Sequence, residues 1–246
     1  MDNSTYVSLS RAAALRRSLD VTANNMANAN TVGFKAQRAD FRTMVESQQT
    51  GADGTSYVLN RGSYLDGSQG QLTRTDNPLD VAISGNGWFA YATPTGQTAY
   101  GRDGRFSINQ RGDLVTLTGA QVLDEGGAPI AIPADTGTQL QIASDGTITG
   151  PQGATIAKIG LFDVPGIADF KRIGAGMFVA PDGSNARSPA ADSKISQGFV
   201  EESNVQPVIE MTRMMEIQRA YEQAMKIMDD ENQLRQQTLS KLGNTA

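Results

Sequence analysis

Histidine and cysteine are both absent from the 246 residues. Without cysteine there is no disulfide framework and no thiolate zinc site, although an oxidising compartment is still tolerated. Without histidine the commonest general base and the commonest imidazole metal ligand are gone, which leaves carboxylate, lysine, tyrosine or serine for any catalysis. Long apolar runs are missing too. Within residues 1–20 the longest is Ala12-Ala13-Ala14-Leu15, bounded by Arg11 and Arg16, so no cleavable signal core is visible. No stretch approaches the ~20 apolar residues that span a bilayer, so no membrane insertion is expected. A basic field is also lacking: the formal net charge is -5, which disfavours nucleic acid and anionic membranes as partners.

Glycine and proline are plentiful but unevenly placed. All of the 26 glycines except Gly33 and Gly243 lie between residues 46 and 200, as do all of the 9 prolines except Pro207. Both residues disfavour helix interiors and serve turns, so the two ends read as helical and the middle as strands and turns. The expected fold class is α+β: long N- and C-terminal helices packed as a coiled-coil-like pair, with a mainly antiparallel β middle domain. The boundaries are a helical arm at 1–35, an extended linker or hairpin segment at 36–75, a β-rich middle at 76–200 and a second helical arm at 201–246.

In the first arm Leu9, Ala12, Leu15, Leu19 and Met26 recur at helical spacing, and Asn28, Asn30 and Gly33 then stop the helix near residue 29. The second arm opens with Ser203-Asn204 as N-cap candidates and Pro207 in the first turn. From there Met214, Ile217, Tyr221, Ala224 and Met228 alternate steps of three and four, the pattern of a heptad seam, and the helix is expected over 205–241. Residues 1–45 carry six basic and three acidic side chains, residues 201–246 five basic and eight acidic ones. The arms are charge-complementary, so they pair with each other or with copies in neighbouring molecules; a two-helix cap on the chain's own β domain is the alternative.

In the middle, residues 79–83 and 88–92 read as strands of a hairpin through Gly85-Asn86-Gly87. Further strand runs fall at 106–108, 114–117, 140–142, 156–162 and 177–180, separated by turn pairs such as Asp103-Gly104 and Asp145-Gly146. Residues 48–75 are polar and rich in Gly, Ser and Thr, which leaves an extended flap, a long hairpin and a mobile loop open.

The chemical motifs fail on context. Gly85-Asn86-Gly87-Trp88-Phe89-Ala90 has the spacing of a dinucleotide fingerprint, but a strand-like run follows where a helix must begin. Asp229-Asp230-Glu231 lacks the alternating oxygen ligands of a calcium loop and reads as a solvated helix face. Arg111-Gly112-Asp113 is explained by a β-turn, and the methionines of the second arm by adaptable packing. No catalytic, cofactor-binding or metal-ligating residue is assigned, and no cofactor is expected.

The run from Leu19-Asp20 through Ala23-Asn24-Asn25-Met26-Ala27-Asn28 to Thr31-Val32-Gly33-Phe34-Lys35 closely resembles the N-terminal signature of flagellar basal-body rod and hook proteins. At the other end Ser203-Asn204-Val205, Glu210-Met211 and Gln218-Arg219-Ala220-Tyr221-Glu222 resemble the C-terminal signature. Gly85-x-Gly87-Trp88-Phe89 and Tyr100-x-Arg102-Asp103-Gly104-x-Phe106 resemble the β-rich middle of the longer members. Details of the N-terminus favour the proximal-rod type over the distal-rod type. The resemblance implies a structural subunit of the rod, the axle that carries motor torque, lying in the basal body across the periplasm and exported through the flagellar type III apparatus without a cleaved signal. Other rod subunits and copies of itself are the implied partners. The implied subunit interface comprises Leu9, Leu15, Leu19, Asn24, Asn25 and Met26 on the first helix, then Asn28, Thr31, Gly33, Phe34 and Lys35. On the second arm it comprises Asn204, Val205, Met211, Met214, Ile217, Tyr221 and Met228. A periplasmic hydrolase of cell-wall glycan is the rival from another class, and it needs a groove with two facing carboxylates.

Overall fold

Small side chains shape the first helix, α1, which spans Asp2–Ala27. Ala12, Ala14, Thr22 and Asn25 are its buried residues, Leu15, Leu19 and Met26 are half-buried, and Leu9 is 52% exposed at the edge of the stripe. The helix stops two residues before the expected point because Asn28 starts a turn: its carbonyl accepts the Thr31 N–H and its side chain the Thr31 hydroxyl. Gly33 completes the exit at φ +69°, a left-handed conformation that side chains resist.

The computed structural model describes residues 2–46, 55–133, 136, 140–151, 153–181, 188–190 and 192–243. They fall into two compact units. One combines α1, the paired strands Gln37–Glu46 and Thr55–Leu65, and the second helix, α2, at Pro207–Gly243. Part of the polar stretch at 48–75 lies outside the described residues, and strand pairing covers much of the rest. Pro207 opens α2, where a missing N–H costs nothing, and Glu210 sits in its first turn with its charge toward the positive end of the helix dipole. Asn204 does not cap this helix as expected, because its side chain is committed elsewhere. Along α2 the residues withdrawn from solvent include Glu210, Met214, Ile217, Tyr221, Ala224, Met228 and Glu231, in steps of four and three, with Arg213 and Ala220 beside them. The two helices pack against each other.

The other unit comprises Asn28–Ala36 and Leu65–Val205 and is mainly antiparallel β. Its largest sheet runs Lys171–Gly174, Met177–Val179, Thr98–Gly101, Trp88–Ala92, Gln121–Val122, Leu114–Thr116, Phe106–Ile108. Leu161–Asp163 also pairs with Trp88–Ala92. Along that central strand, alternate side chains face opposite ways and both sets are buried. Phe89 and Tyr91 join one core with Phe106 and Leu114, while Trp88 and Ala90 join a second with Tyr100 and Phe178.

The expected hairpin through Gly85-Asn86-Gly87 does not form. Val81–Ser84 pairs with Lys194–Gln197 instead, and the glycines hand the chain from one sheet to another against Ser193, whose hydroxyl accepts the Gly87 N–H at 2.8 Å. The run at 156–162 likewise divides into Thr155–Lys158 and Leu161–Asp163, since Gly160 turns aside to donate to the Leu123 carbonyl. Arg111-Gly112-Asp113 is the turn of the Phe106–Ile108/Leu114–Thr116 hairpin.

Gly104 marks the tightest approach, because a Cβ there would lie 1.7 Å from the Val81 carbonyl oxygen. Gly104→Ala is expected to lower the thermal midpoint by roughly 5 °C, as overpacking costs ~1–3 kcal/mol. Gly67→Ala, with nothing within 4 Å of its Cβ, is the neutral control. Equal midpoints for the two variants would refute the steric assignment.

Candidate functional site

Three charged side chains meet out of contact with water in the β-rich unit. Glu201, at the end of Phe199–Glu201, accepts from Lys35 Nζ at 2.6 Å on Oε1 and from Arg102 at 3.0 Å on Oε2. Its Oε1 also accepts the Gly70 N–H at 2.9 Å. Lys35 Nζ gives a further hydrogen to the Ser68 carbonyl at 2.7 Å, and Arg102 one to the Gly85 carbonyl at 2.8 Å while lying over the Trp88 ring. Burial pulls both the Lys35 ammonium and the Arg102 guanidinium below their usual ranges, and the Glu201 charge opposes that pull in each case. Two cations share one anion in a dry site, and the Ser68 and Gly85 carbonyls take further donors, although the buried Arg102 Nε–H has no partner among the described residues.

The main chain reinforces the same junction. Gly33 N–H donates to the Glu201 carbonyl at 2.7 Å, and a Cβ on Gly33 would fall 2.4 Å from the Asp103 nitrogen. Asn204 accepts the Ala36 N–H at 2.7 Å and donates to the carbonyls of Asp66 and Ser68 at 3.0 Å each. Phe34 packs with Ala36 and Val205, and Arg172 covers its ring at 4.3 Å while donating to the Lys35 carbonyl. Burial brings the Arg172 guanidinium down to about 10.

In the helical unit Asn25 acts as a surrogate strand. Its Oδ1 accepts the Gln37 N–H at 2.9 Å and its Nδ2 donates to the Gln37 carbonyl at 2.8 Å, which fixes the start of Gln37–Glu46. The same Nδ2 reaches Glu210, which also takes a hydrogen bond and ion pair from Arg213. Beside this group lies a cavity of about 240 Å³, lined among others by Asn25, Arg38, Tyr64, Arg213 and Ile217. That is below the ~300 Å³ at which small-molecule sites begin, and no carboxylate lines it, so it offers no pair for glycan hydrolysis. Among the described residues no group of three or more His, Cys, Asp or Glu is placed to hold a metal ion.

The residues expected at an interface therefore occupy different settings. Thr31, Gly33, Phe34, Lys35, Asn204 and Val205 belong to the β-rich unit, several of them fully buried there. Asn28 shapes the turn that precedes them. Asn25 is buried in the helical unit. Leu9, Asn24 and Met211 are exposed, and Leu15, Leu19, Met26, Met214, Ile217, Tyr221 and Met228 are half-buried along the two helices. Glu201, Arg102 and Arg172 were missed as structural keys. The first of the two acids, Glu201 and Glu202, that follow Phe199-Val200 in a strand-like run was the available signal.

A β-rich unit closed by segments from both ends of the chain, with two helices that keep apolar side chains in solvent, defines a structural assembly subunit. Family models agree along the chain: "Flagella basal body rod protein" matches residues 6–35, "Flagellar hook protein FlgE/F/G D1 domain" 82–150 and "Flagellar basal body rod FlgEFG protein C-terminal" 196–241. The chain is 41% identical to the flagellar basal-body rod protein FlgF of Mesorhizobium japonicum, covering 99% of both chains. It is also 41% identical to FlgF of Caulobacter vibrioides over 99% of each, and 35% identical to FlgG of that organism over 92% of this chain and 94% of the relative. The chain belongs to the flagellar basal-body rod protein family, of the FlgF type, which is a family of structural proteins and not of enzymes.

Breaking the buried triad separates its role from surface electrostatics. Glu201→Gln leaves two buried cations facing each other and is expected to cost ~3–5 kcal/mol in the urea unfolding of the β-rich unit, read by the fluorescence of the lone Trp88. An unchanged midpoint would show that Glu201 does not hold the junction.

Proposed function

We propose that the chain is a structural subunit of the flagellar rod that self-assembles through its two terminal helices into the axle transmitting motor torque. Its partners are other rod components of the basal body and, in this reading, further copies of itself. One observation carries the proposal: α2 keeps apolar side chains in solvent on more than one side, with Val208 at 78%, Met211 at 52% and Leu234 at 63% exposure. Apolar side chains exposed on more than one side of a helix need more cover than one neighbour supplies. The withdrawn residues of α2 already follow heptad steps, which supports a coiled-coil-like pair with α1 whose outer sides are covered by adjoining subunits.

In this reading the arms at 1–35 and 201–246 form the inner, load-bearing layer. Leu9, Leu15, Leu19 and Met26 from α1, and Met211, Met214, Ile217, Tyr221 and Met228 from α2, supply contacts within and between subunits. Asn24 and Asn25 of the helical unit, and Asn28, the Thr31 to Lys35 segment, Asn204 and Val205 of the β-rich unit, complete the proposed interface. Each large apolar side chain fully buried contributes ~1.5–3 kcal/mol, so a few per contact suffice for a stable tube. Export through the flagellar type III apparatus belongs to this reading, with the rod crossing the periplasm. Among the described residues no helix is long and apolar enough to cross a membrane.

Tyr221→Asp tests the seam, since it sets a charge among half-buried apolar side chains. The variant is expected to keep native Trp88 fluorescence, to be missing from purified basal bodies and to abolish swimming. Normal incorporation into basal bodies would remove the helical seam from the account.

A further inference from the structure

Asn86-Gly87 is the one Asn-Gly pair in the sequence, and neither assembly nor the buried triad accounts for it. Such a pair carries its own chemistry. With no side chain on the following glycine, its main-chain nitrogen is free to swing against the asparagine side chain. Once deprotonated, that nitrogen bonds to the asparagine Cγ, the Cγ–Nδ2 bond breaks and ammonia leaves, which closes a succinimide ring. Water then opens the ring at either carbonyl. One opening gives aspartate, and the other gives isoaspartate, whose main chain runs through Cγ and is a methylene longer. Overall the step consumes water and releases ammonia.

The fold holds the two reacting groups apart. Asn86 is exposed, but Gly87 is buried and its N–H donates to Ser193 Oγ at 2.8 Å. The Cβ atoms of Ser193 and Ala190 lie 2.9 and 3.2 Å from where a Gly87 Cβ would stand, so this residue has no room to turn. Ser193 is itself fixed, by its N–H on the Ala190 carbonyl at 3.2 Å and by the pairing of Lys194 with Ser84 directly after it. We propose that Asn86-Gly87 is a deamidation site latched shut by Ser193, which reacts when the Ser193 segment lifts from residues 85–87. Local opening of this kind needs less free energy than global unfolding. The isoaspartyl product cannot latch again. Arg102 donates to the Gly85 carbonyl at 2.8 Å, just before Asn86, and Ser193 accepts the Gly87 N–H just after it. An added methylene between these two anchors prevents both from being kept, so a passing local opening becomes a lasting loss beside the Arg102–Glu201 pair.

Trypsin releases residues 75–102 as one peptide, in which mass spectrometry follows loss of the Asn86 amide and fragmentation distinguishes isoaspartate from aspartate. The full chain is incubated at mildly alkaline pH, either folded or unfolded in urea, and Trp88 fluorescence confirms that each folded sample starts native. The unfolded chain is expected to convert while the folded wild type keeps its amide. Folded Ser193→Ala is expected to convert about fivefold faster than the folded wild type, the equivalent of one hydrogen bond. Gly104→Ala, which weakens the same unit through the Val81 carbonyl and leaves Ser193 in place, is expected to stay near the wild-type rate. Equal rates in folded and unfolded wild type overturn the latch, as do equal rates in Ser193→Ala and wild type or a Gly104→Ala rate that matches Ser193→Ala. The isoaspartyl fraction is then compared with Asn86→Asp, which carries the new charge on a main chain of ordinary length. A lower urea midpoint for the isoaspartyl form supports the lost Arg102 anchor, and equal midpoints overturn it.

Discussion

A carboxylate sealed from water, with one cation from each of two distant parts of the chain, sets the terms for the β-rich unit. Glu201 lies 166 residues from Lys35 and 99 from Arg102, and both buried cations depend on its charge. Removing Glu201 leaves two uncompensated cations in a dry interior, where the penalty is far larger than on a surface. The unit therefore closes only when the segment after α1 and the segment before α2 have both arrived. The shape-specific contacts around it, Gly33 against Asp103, Gly70 under Glu202 and Asn204 between Ala36 and Ser68, bring the backbones close enough for the charges to meet.

Much of the fold was legible because it rests on local rules. The absence of glycine and proline from the ends, and their crowding in the middle, reflects backbone conformational preference and needs no knowledge of tertiary contacts. The seam of α2 was legible for a similar reason: a repeat of three and four describes one face of a helix wherever it packs. Strand pairing was not. Gly85-Asn86-Gly87 has the composition of a hairpin turn, yet its flanking strands join different sheets, because the partner of Val81–Ser84 is more than a hundred residues away and no local pattern encodes that choice. Asn204 shows the same limit. As a cap candidate it obeyed a local rule, but three acceptors and one donor from other segments outcompeted the helix terminus for its amide.

The site residues divide along the same line. Lys35, Arg102 and Asn204 were recognisable through motifs, whereas Glu201 acquires its importance only from burial, a property of the assembled unit. Asn25 lies between these cases: an asparagine near a helix end is expected to bond to nearby backbone, and here that backbone begins a strand instead of ending the helix.

The two units obey different physical requirements. In the β-rich unit, interlocking glycines, T-shaped aromatic pairs such as Phe89 with Phe106, and a buried ion triad specify one arrangement and penalise departures from it. In α2 the exposed apolar positions include Met211, Met215 and Met225, which adapt to differing surfaces at small cost, beside Val208, Ile209, Ile227 and Leu234. A helix whose neighbours differ from one side to the next cannot rely on a single jigsaw fit. Rigidity is thus concentrated where the chain meets itself, and adaptability where it is left uncovered, which is the distribution a subunit needs when it must keep its own shape while fitting several non-equivalent neighbours.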